Sequence, residues 1–500
     1  MSEPVSFIHN FPFFSIFICM ISGIVTPLLK NGKWAYRLSL CASGAGLVLS
    51  GVLLGRVGPR NESFSFMMGH FPAPWGNELS VGPLEAVLAT AICLVMLLAL
   101  LAGRRDIFED VLPEKQKLYF IMMDEILAAL LALTYTNDIF TAYVFIEIST
   151  IAACAIVMAK DSSATMVATM RYLIMSLLGS GLVLLGIVLL YCITGHLLFP
   201  NLQQRVLELV ATNQYAMPLT VVVGLIVMGL GIKSAMFPFH LWLPPAHGSA
   251  TTASSSVLSG LVVKGYIILM IRLFYKVFTI EVIRSLRVTN MVFLFGLAGM
   301  IVGSVGAIKE GHIKRMLAYS SVAQLGYVFM GIGLGTDVGI MAACFQILVH
   351  ACTKPMLFGC ASALSAGRHH NKKLYALRGA AYENKLAGVG FTVGALSMIG
   401  IPLFGGFAAK VFFASATMAQ PVKMWMTLLT LALSTVLNAL YYIPAVTALW
   451  SKPAEGEAGE KQPADPTFAV STVLFIAAVF FLGICYQPVV TLIQNGLALL

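Results

Sequence analysis

Residues 231–247 read Gly-Ile-Lys-Ser-Ala-Met-Phe-Pro-Phe-His-Leu-Trp-Leu-Pro-Pro-Ala-His and follow an apolar run. An ammonium such as that of Lys233 costs about 2.5 to 3.5 kcal/mol to insert at the centre of a membrane helix. Pro238 and the two prolines after it remove backbone donors, so a helix should stop near Phe237 and restart around His240. Broken helices at membrane depth usually line a water-filled cavity. Lys233 is therefore predicted to lie on an ion path; the alternative is a lysine that reaches the membrane surface beside an ordinary loop.

The composition is that of a membrane protein. Hydrophobic residues make up 59% of the 500 positions and charged residues 11%, whereas soluble domains are about 25% charged. From Phe11 onward we find about fourteen apolar stretches long enough to cross a hydrocarbon core of about 30 Å. Backbone groups in lipid must bond internally. The predicted fold is therefore all-α, a polytopic membrane helix bundle of about 14 transmembrane helices.

The net charge of +9 does not indicate nucleic-acid binding. The basic residues lie mainly in alternate short loops, as the positive-inside rule predicts for a multi-pass protein of the cell inner membrane. With about fourteen spans, both termini are expected on the non-cytoplasmic side. The segment Met1–Asn10 lacks a basic region, so the first span is expected to be retained. The nine cysteines occur singly, without a Cys-x-x-Cys pair, and we expect no metal site, cofactor or disulfide framework.

A second apolar run is interrupted at Gly400-Ile-Pro-Leu-Phe-Gly-Gly-Phe-Ala-Ala-Lys410. Two interrupted helices at corresponding places indicate two inverted repeats. We divide the chain into N-terminal transmembrane helices (1–103), a first repeat broken near 231–251 (104–277), a second repeat broken near 395–415 (278–450), and a cytoplasmic loop with the last transmembrane helix (451–500). The turn-rich stretch 56–80 is predicted to be an external loop or short hairpin. The Glu-, Pro- and Gly-rich loop 452–466 is predicted to be disordered.

Four further charged residues lie within apolar spans. Glu147 has no polar neighbour one turn away in its own helix that could neutralise it, except Tyr143 and Thr150, so it must face another helix or water. Lys264 has no carboxylate within helical reach. His350 and Lys354 are four residues apart and share one helix face, and a histidine suits a proton relay. Ionisable residues inside a membrane are functional by default.

Acidic residues near the ends of spans are weaker candidates. We interpret Glu85, near the mouth of the third span, as an interfacial charge. Asp124 and Glu125 project about 100° apart on a helix, so at most one of them can face a given partner. A polar mouth near the headgroups explains that pair as well as a functional role does.

The pattern as a whole resembles one family, the antiporter-like proton-channel subunits of respiratory complex I, energy-converting hydrogenases and Mrp-type sodium/proton antiporters. The resemblance covers about spans three to thirteen, and several separate motifs agree in order. The matching motifs are Gly231 to His247, Ala318-Tyr-Ser-Ser through Gly326-Tyr327, His350-Ala-Cys-Thr-Lys354-Pro-Met-Leu-Phe358, and Gly400 through Lys410. Leu403 departs from the pattern, because it replaces a usual second proline, and 250–256 lacks a common proline.

The resemblance implies two half-channels and a role for each buried charge. Glu147 and Lys233 match the family's glutamate–lysine pair, Lys264 its central bridging lysine, His350 its relay histidine and Lys410 its exit-side residue. A lysine at 410 is similar to the L and N types of complex I and to the D type of Mrp antiporters. Lys354 lies beside the relay. His240, His247, Pro238 and Pro402, at or beside the two breaks, are expected to support the channel.

The expected function is proton translocation by a subunit of a multisubunit membrane complex. That complex is either an Mrp-type cation/proton antiporter, with Na⁺ as a candidate second ion, or the pumping module of a complex I- or hydrogenase-like enzyme. No redox motif is present, so whether the subunit belongs to an enzyme depends on its partners. The alternatives are a stand-alone secondary transporter of a small solute and, more weakly, haem binding by His240, His247 and His350.

Overall fold

The structure is a computed structural model that describes residues 7–71, 76–418, 420–452 and 465–500, and it is nearly all helical. Thirteen helices are long and apolar enough to cross a membrane. A further span is interrupted and consists of two short helices, Lys385–Ile399 and Gly405–Thr417. These spans together account for the fourteen predicted, and the predicted all-α membrane bundle is confirmed. Most of the loop predicted to be disordered, 452–466, lies outside the described residues.

The first half of the chain contains α1 (Phe11–Val25), α2 (Gly32–Arg60), α3 (Pro83–Ala102), α4 (Arg104–Asp110), α5 (Gln116–Tyr135), α6 (Ile139–Met158), α7 (Ser163–Thr194), α8 (Phe199–Ala211), α9 (Ala216–Lys233), α10 (Leu243–Ser249), α11 (Thr252–Val257) and α12 (Val263–Lys276). The second half contains α13 (Ile280–Ser285), α14 (Val288–Lys309), α15 (Ile313–Gly333), α16 (Asp337–Ala366), α17 (Ala380–Glu383), α18 (Lys385–Ile399), α19 (Gly405–Thr417), α20 (Pro421–Leu449), α21 (Pro466–Ile484) and α22 (Tyr486–Ala498). Two short strands, β1 (Phe64–Met67) and β2 (Glu78–Val81), pair antiparallel with Phe64 opposite Val81. They fall in the stretch predicted to be a loop or hairpin.

The order of helix neighbours is similar in the two halves. In the first, α5 packs on α6, α6 on α7, and α7 along α9. In the second, α14 packs on α15, α15 on α16, and α16 along both α18 and α19. The broken helix is thus the fourth helix of each series.

The first break begins earlier than predicted. Helix α9 ends at Lys233 and not near Phe237. Ala235 has a φ of 54°, in the left-handed region, and the Met236 N–H donates to the Gly231 carbonyl at 2.9 Å. This capping pattern closes the last helical turn before Pro238 is reached. Helical structure resumes as a 3₁₀ turn, Phe239–Trp242, and continues into α10.

The second break depends on a glycine. Gly400 follows the end of α18 with a φ of 90°, a conformation that L side chains rarely adopt. A Cβ atom there would lie 3.0 Å from the Lys410 Nζ. Gly400 therefore both ends the helix and leaves room for the Lys410 side chain to fold back across the gap.

A π turn, Leu258–Val262, joins α11 to α12 within the eighth span. Such turns are rare and often occur at functional sites. The turn is fully buried and lies two residues before Lys264. Its backbone therefore lies next to a residue that the sequence singled out.

The N-terminus of α15 is capped by a titratable residue. The Arg315 N–H donates to His312 Nδ1 at 3.4 Å. Burial, together with the positive charges of Arg315, Lys372 and Lys314, lowers the pKa of His312 from 6.5 to about 4. The folded state thus favours the neutral imidazole, whose contribution to stability is complete above about pH 6.5 and is lost as the pH falls toward about 4.

We therefore expect backbone amides in the first turn of α15 to lose protection against hydrogen exchange as the pH falls from about 6.5 to about 4. The measurement is exchange followed by mass spectrometry, corrected for the intrinsic pH dependence of exchange. The control is His312→Asn, because asparagine caps a helix and does not titrate in this range. Equal pH dependence in the two proteins would contradict the prediction.

Glu85, which the sequence suggested to be an interfacial charge, is buried within the protein. Its residue exposure is 1%, and its Oε1 lies 3.4 Å from Arg272 Nε and 3.6 Å from Lys276 Nζ. Its Oε2 accepts a hydrogen bond from the Gly82 N–H at 3.0 Å. The carboxylate thus ties α3 to the end of α12.

Glu85→Gln should destabilise the chain by about 3 to 5 kcal/mol, because two buried cations lose their counter-charge. The expected result is a lower midpoint of thermal unfolding in detergent. Glu62→Gln, at an exposed glutamate, is the control and should leave the midpoint unchanged. The same midpoint for Glu85→Gln and the native chain would show that the ion pairs of Glu85 contribute nothing net to the free energy of unfolding.

Asp124 also lies inside the protein. Its two oxygens accept hydrogen bonds from Ser22 Oγ at 2.6 Å and from Ser39 Oγ at 2.5 Å. These serines belong to α1 and α2, so Asp124 fastens the first two helices to α5.

Candidate functional site

Lys233 and Glu147 lie together beside the first break. Lys233 Nζ is 3.9 Å from Glu147 Oε1; the lysine side chain is 0% exposed and the glutamate side chain 26%. The distance is too long for a hydrogen bond, and Lys233 instead donates to Thr150 Oγ1 at 2.6 Å. Its Nζ also lies 5.3 Å from the centre of the Tyr266 ring, within the range of a cation–π interaction. The ammonium is thus held by neutral groups, with a carboxylate close by.

Lys264 occupies the centre of the molecule. Its ammonium donates to the Ser259 carbonyl, which belongs to the π turn. The Ser259 hydroxyl in turn lies 2.9 Å from the Ser321 hydroxyl on α15. Lys264 is therefore anchored at the point where the two halves of the chain meet.

His350 and Lys354 share one face of α16, as predicted from their spacing. Lys354 Nζ donates to the Leu317 carbonyl at 2.9 Å and to the Tyr442 hydroxyl at 3.2 Å. His350 is fully buried, and neither of its ring nitrogens has a hydrogen-bond partner among the described residues. It lies close enough to Lys264, Lys354 and His247 to interact with them electrostatically. The structure thus brings four predicted residues together in the centre.

Lys410 lies on α19, just beyond the second break. Its Nζ donates to the Ile399 carbonyl at 2.5 Å and to Thr435 Oγ1 at 2.7 Å. Ile399 is the last residue of α18, where a cation stabilises the free carbonyls at the helix end. The Nζ also lies 5.5 Å from the centre of the Tyr327 ring. Lys410 and Lys233 therefore have similar surroundings, a threonine hydroxyl and a tyrosine ring.

The four residues predicted to support the channel lie in or beside the breaks. Pro238 precedes the 3₁₀ turn that contains His240, and Pro402 falls between α18 and α19. The His240 ring stacks on Phe237 at 5.7 Å, and the His247 ring stacks on Phe358 at 5.1 Å. Both histidines are buried. Among the described residues, no group of three or more metal-binding side chains forms.

The sequence did not predict which neutral polar residues surround the lysines. Thr150, Tyr266 and Thr435 were not proposed, and Tyr327 entered only as part of a motif. Hydroxyls in apolar spans are common and by themselves point to no site. Only the fold shows which of them contact an ammonium.

A model of a protein family described as "NADH:quinone oxidoreductase/Mrp antiporter, TM" matches residues 136–438. The chain belongs to this family. The matched segment contains all ten predicted site residues, Glu147, Lys233, Pro238, His240, His247, Lys264, His350, Lys354, Pro402 and Lys410. The resemblance inferred from the motifs is confirmed.

Similar family members come from two kinds of complex. The N subunit of NADH-quinone oxidoreductase from Desulforudis audaxviator is 30% identical over 454 residues, 89% of this chain and 87% of that protein. The D subunit of the Na⁺/H⁺ antiporter from Bacillus subtilis is 24% identical over 478 residues, 95% of this chain and 92% of that protein. The similarity therefore extends well beyond the segment that the family model matches.

Two solved structures have the same fold. A chain of the Mrp complex from a Dietzia species superposes with a TM-score of 0.86 at 20% identity, covering 99% of this chain and 97% of that chain. A chain of the membrane-bound sulfane sulfur reductase, an archaeal respiratory complex, also gives 0.86 at 23% identity, covering 98% and 96%. The helical architecture of this chain thus also occurs in these two membrane complexes.

Proposed function

We propose that this chain conducts protons across the membrane as one subunit of a multisubunit complex. The observation that supports this most directly is a row of four lysines that runs from the first break to the second: Lys233, Lys264 and Lys354, which are buried, and Lys410, which is partly buried. Within the described part of the chain, only the first of them has a carboxylate within 4.0 Å. Buried ammonium groups without counter-charges are costly, and a lysine can release its proton whereas an arginine cannot.

The Glu147–Lys233 pair is the proposed switch. While the carboxylate stays near, it favours the ammonium form of Lys233. When the pair separates, that stabilisation is lost and Lys233 can pass its proton toward Lys264. The present distance of 3.9 Å, without a direct hydrogen bond, means that little has to break for the pair to open. One proton moved in this way leaves Lys233 neutral and the next lysine charged.

The second half continues the path. From Lys264 the proton passes His350 or Lys354 and reaches Lys410 beside the second break. The division into a first half-channel (104–277) and a second (278–450) follows the similar order of helices in the two halves. His240, just before α10, and His247, within it, support the first half-channel, and Pro402 supports the second.

The partners are other membrane subunits, because the similar proteins are named as subunits of larger complexes. The driving reaction belongs to them: either a redox reaction or the movement of a second cation such as Na⁺. The lysine- and arginine-rich loops support a location in the cell inner membrane with both termini on the non-cytoplasmic side.

The test is gentle purification of the intact complex, followed by mass spectrometry of its subunits and reconstitution into liposomes. Acidification or alkalinisation of the lumen is then measured with a pH-sensitive dye under each driving force. Proton movement driven by a redox substrate indicates a pump, and movement driven by a Na⁺ gradient indicates an antiporter. No proton movement under either condition, or transport by the chain alone of a small solute, would refute the proposal.

A further inference from the structure

Helix α20 places a set of buried polar side chains between Lys354 and Lys410. Asn438, Tyr441 and Tyr442 are 0% to 4% exposed. They meet Ser320 and Tyr327 of α15, which are equally buried. Five polar groups in the interior of two membrane helices need an explanation, because each costs free energy unless it is hydrogen-bonded.

These groups form a continuous series of hydrogen bonds that starts at Lys354. Lys354 Nζ donates to the Tyr442 hydroxyl at 3.2 Å, and that hydroxyl lies 2.9 Å from Ser320 Oγ. Ser320 Oγ lies 3.0 Å from the Tyr441 hydroxyl, which donates to Asn438 Oδ1 at 2.8 Å. Each hydroxyl in the series can accept one proton while it gives up another.

The series is interrupted at Asn438, whose orientation is fixed by the backbone. Its Nδ2 lies 3.3 Å from the Met398 carbonyl, which can only accept. Its Oδ1 therefore faces Tyr441 and also accepts from Ser304 Oγ at 3.2 Å. Because an amide oxygen cannot donate, the proton between Tyr441 and Asn438 comes from Tyr441. The Tyr441 hydroxyl also faces Ser320 Oγ as a donor, so Asn438 and Ser320 compete for its single proton.

A second, shorter series lies on the other side of the amide. Asn438 Nδ2 donates to the Tyr327 hydroxyl at 3.4 Å, and Tyr327 donates to Ser434 Oγ at 2.9 Å. Thr435, the next residue, accepts from Lys410 Nζ at 2.7 Å and also lies within reach of the Tyr327 hydroxyl. Polar contacts thus extend from Lys354 to Lys410 through one carboxamide.

We propose that Asn438 is the gate of a hydroxyl relay that joins Lys354 to Lys410. A carboxamide accepts at oxygen and donates at nitrogen, but it does not exchange protons as a hydroxyl does. In the present arrangement Asn438 therefore orients the hydroxyls of Tyr441 and Tyr327 and prevents proton transfer between them. The inference rests on the proposed function, since it assigns residues to the last step of that proton path.

The open step balances with one proton and no electrons. When the Asn438 side chain turns away, Tyr441 can donate to Tyr327 directly or through one water. Lys354 gives a proton to Tyr442, and each hydroxyl passes its own proton onward. The Tyr327 hydroxyl turns from Ser434 and donates to Thr435. The Thr435 hydroxyl turns from the Leu431 carbonyl, to which it donates at 2.7 Å, and gives its proton to the neutral amine of Lys410. Lys354 ends neutral and Lys410 ends as an ammonium.

The gate and its target are attached to the same helix end. Asn438 is held by the carbonyl of Met398, and Lys410 is held by the carbonyl of Ile399, the next residue. Met398 and Ile399 lie in the last turn of α18, at the second break. If Lys410 leaves that helix end, the movement therefore disturbs the hydrogen bond between Asn438 and the Met398 carbonyl, which keeps the gate closed.

The test uses the intact complex in liposomes and measures both driven proton transport and passive proton leak after an imposed pH jump. Asn438→Asp places a carboxyl group, which can accept and donate, at the insulating position. We expect its leak rate to rise about tenfold or more. Asn438→Leu should show no added leak and about a tenfold loss of driven transport. Native leak in the first variant together with native transport in the second would overturn the proposal.

Matched controls separate the gate from general damage. Asn290→Asp, at an exposed asparagine, should change neither rate. If the Asn438 variants do not assemble, Tyr441→Phe removes one hydroxyl from the relay and should lower driven transport about tenfold. Tyr135→Phe, at an equally buried tyrosine of the first half, should not. Native transport in Tyr441→Phe would overturn the relay.

The proposed function fails separately from the gate. If Lys233→Met transports protons at the native rate, proton conduction along the lysine row is refuted. If Lys233→Met is inactive and the Asn438 and Tyr441 variants behave as the native chain does, only the gated relay is refuted.

Discussion

Lys233→Met is expected to lower driven proton transport by about 10²-fold or more, the usual scale for loss of a proton-transfer group. Methionine fills a similar space without a proton to carry, so the complex should still assemble. Thr150 keeps a partner in the variant, because its hydroxyl also donates to the Ile146 carbonyl at 2.8 Å. The Glu147 side chain is 26% exposed. The measurement is the initial rate of dye quenching in liposomes that contain the purified complex.

A second variant distinguishes proton transfer from simple charge. Lys233→Arg keeps the positive charge next to Glu147 but cannot release its proton, so it should be nearly as inactive as Lys233→Met. Lys309→Met, at an exposed lysine, should transport normally. Full activity in Lys233→Arg would mean that Lys233 only balances charge and is not on the path.

Lys264→Met should block proton transfer between the two half-channels, again with a loss of about 10²-fold or more in driven transport. Lys264 is the lysine that lies between the pair at the first break and the His350–Lys354 face of α16. No other lysine of the row bonds to the π turn, and the Ser259 carbonyl loses that ammonium in the variant. The same liposome assay measures the effect.

Two further observations would show where the block lies. Exchange of protons with the Glu147–Lys233 pair, followed by infrared difference spectroscopy of the carboxyl group, should persist in Lys264→Met. It should be absent in Lys233→Met, because the carboxylate then has no ammonium to respond to. Native transport in Lys264→Met would place the connection between the halves elsewhere.

Hydropathy predicts most of this fold, because a chain in lipid must form helices of about 20 apolar residues. The count of fourteen spans needed the interrupted segment 385–417, whose two helices, one on each side of Pro402, are each too short to cross a membrane alone. The end of α9 was predicted near Phe237 but lies at Lys233. The prediction rested on Pro238, which restricts the backbone of the residue before it and not that of residues further back. The left-handed conformation of Ala235, which ends that helix, leaves no mark in the sequence.

The candidate site was predictable where a charge lies in an apolar run, and not elsewhere. Glu147 and the lysines were found because charges in lipid are costly. The same reasoning missed Lys314, which was counted with the basic loop residues although it is 1% exposed and donates to the Ala250 carbonyl at 2.7 Å. It also missed Asn438 and Tyr441, since neutral polar side chains acquire meaning only from the partners that packing gives them.

The π turn before Lys264 has a geometric consequence for where that side chain points. A π turn holds one residue more than an α turn, and each residue of an α-helix advances the direction of the side chain by about 100°. The face of α12 that carries Lys264 is therefore rotated by that angle relative to α11, compared with an uninterrupted helix. Deletion of a single residue within Leu258–Val262 would restore the regular phase and turn Lys264, together with the whole of α12, to a different azimuth.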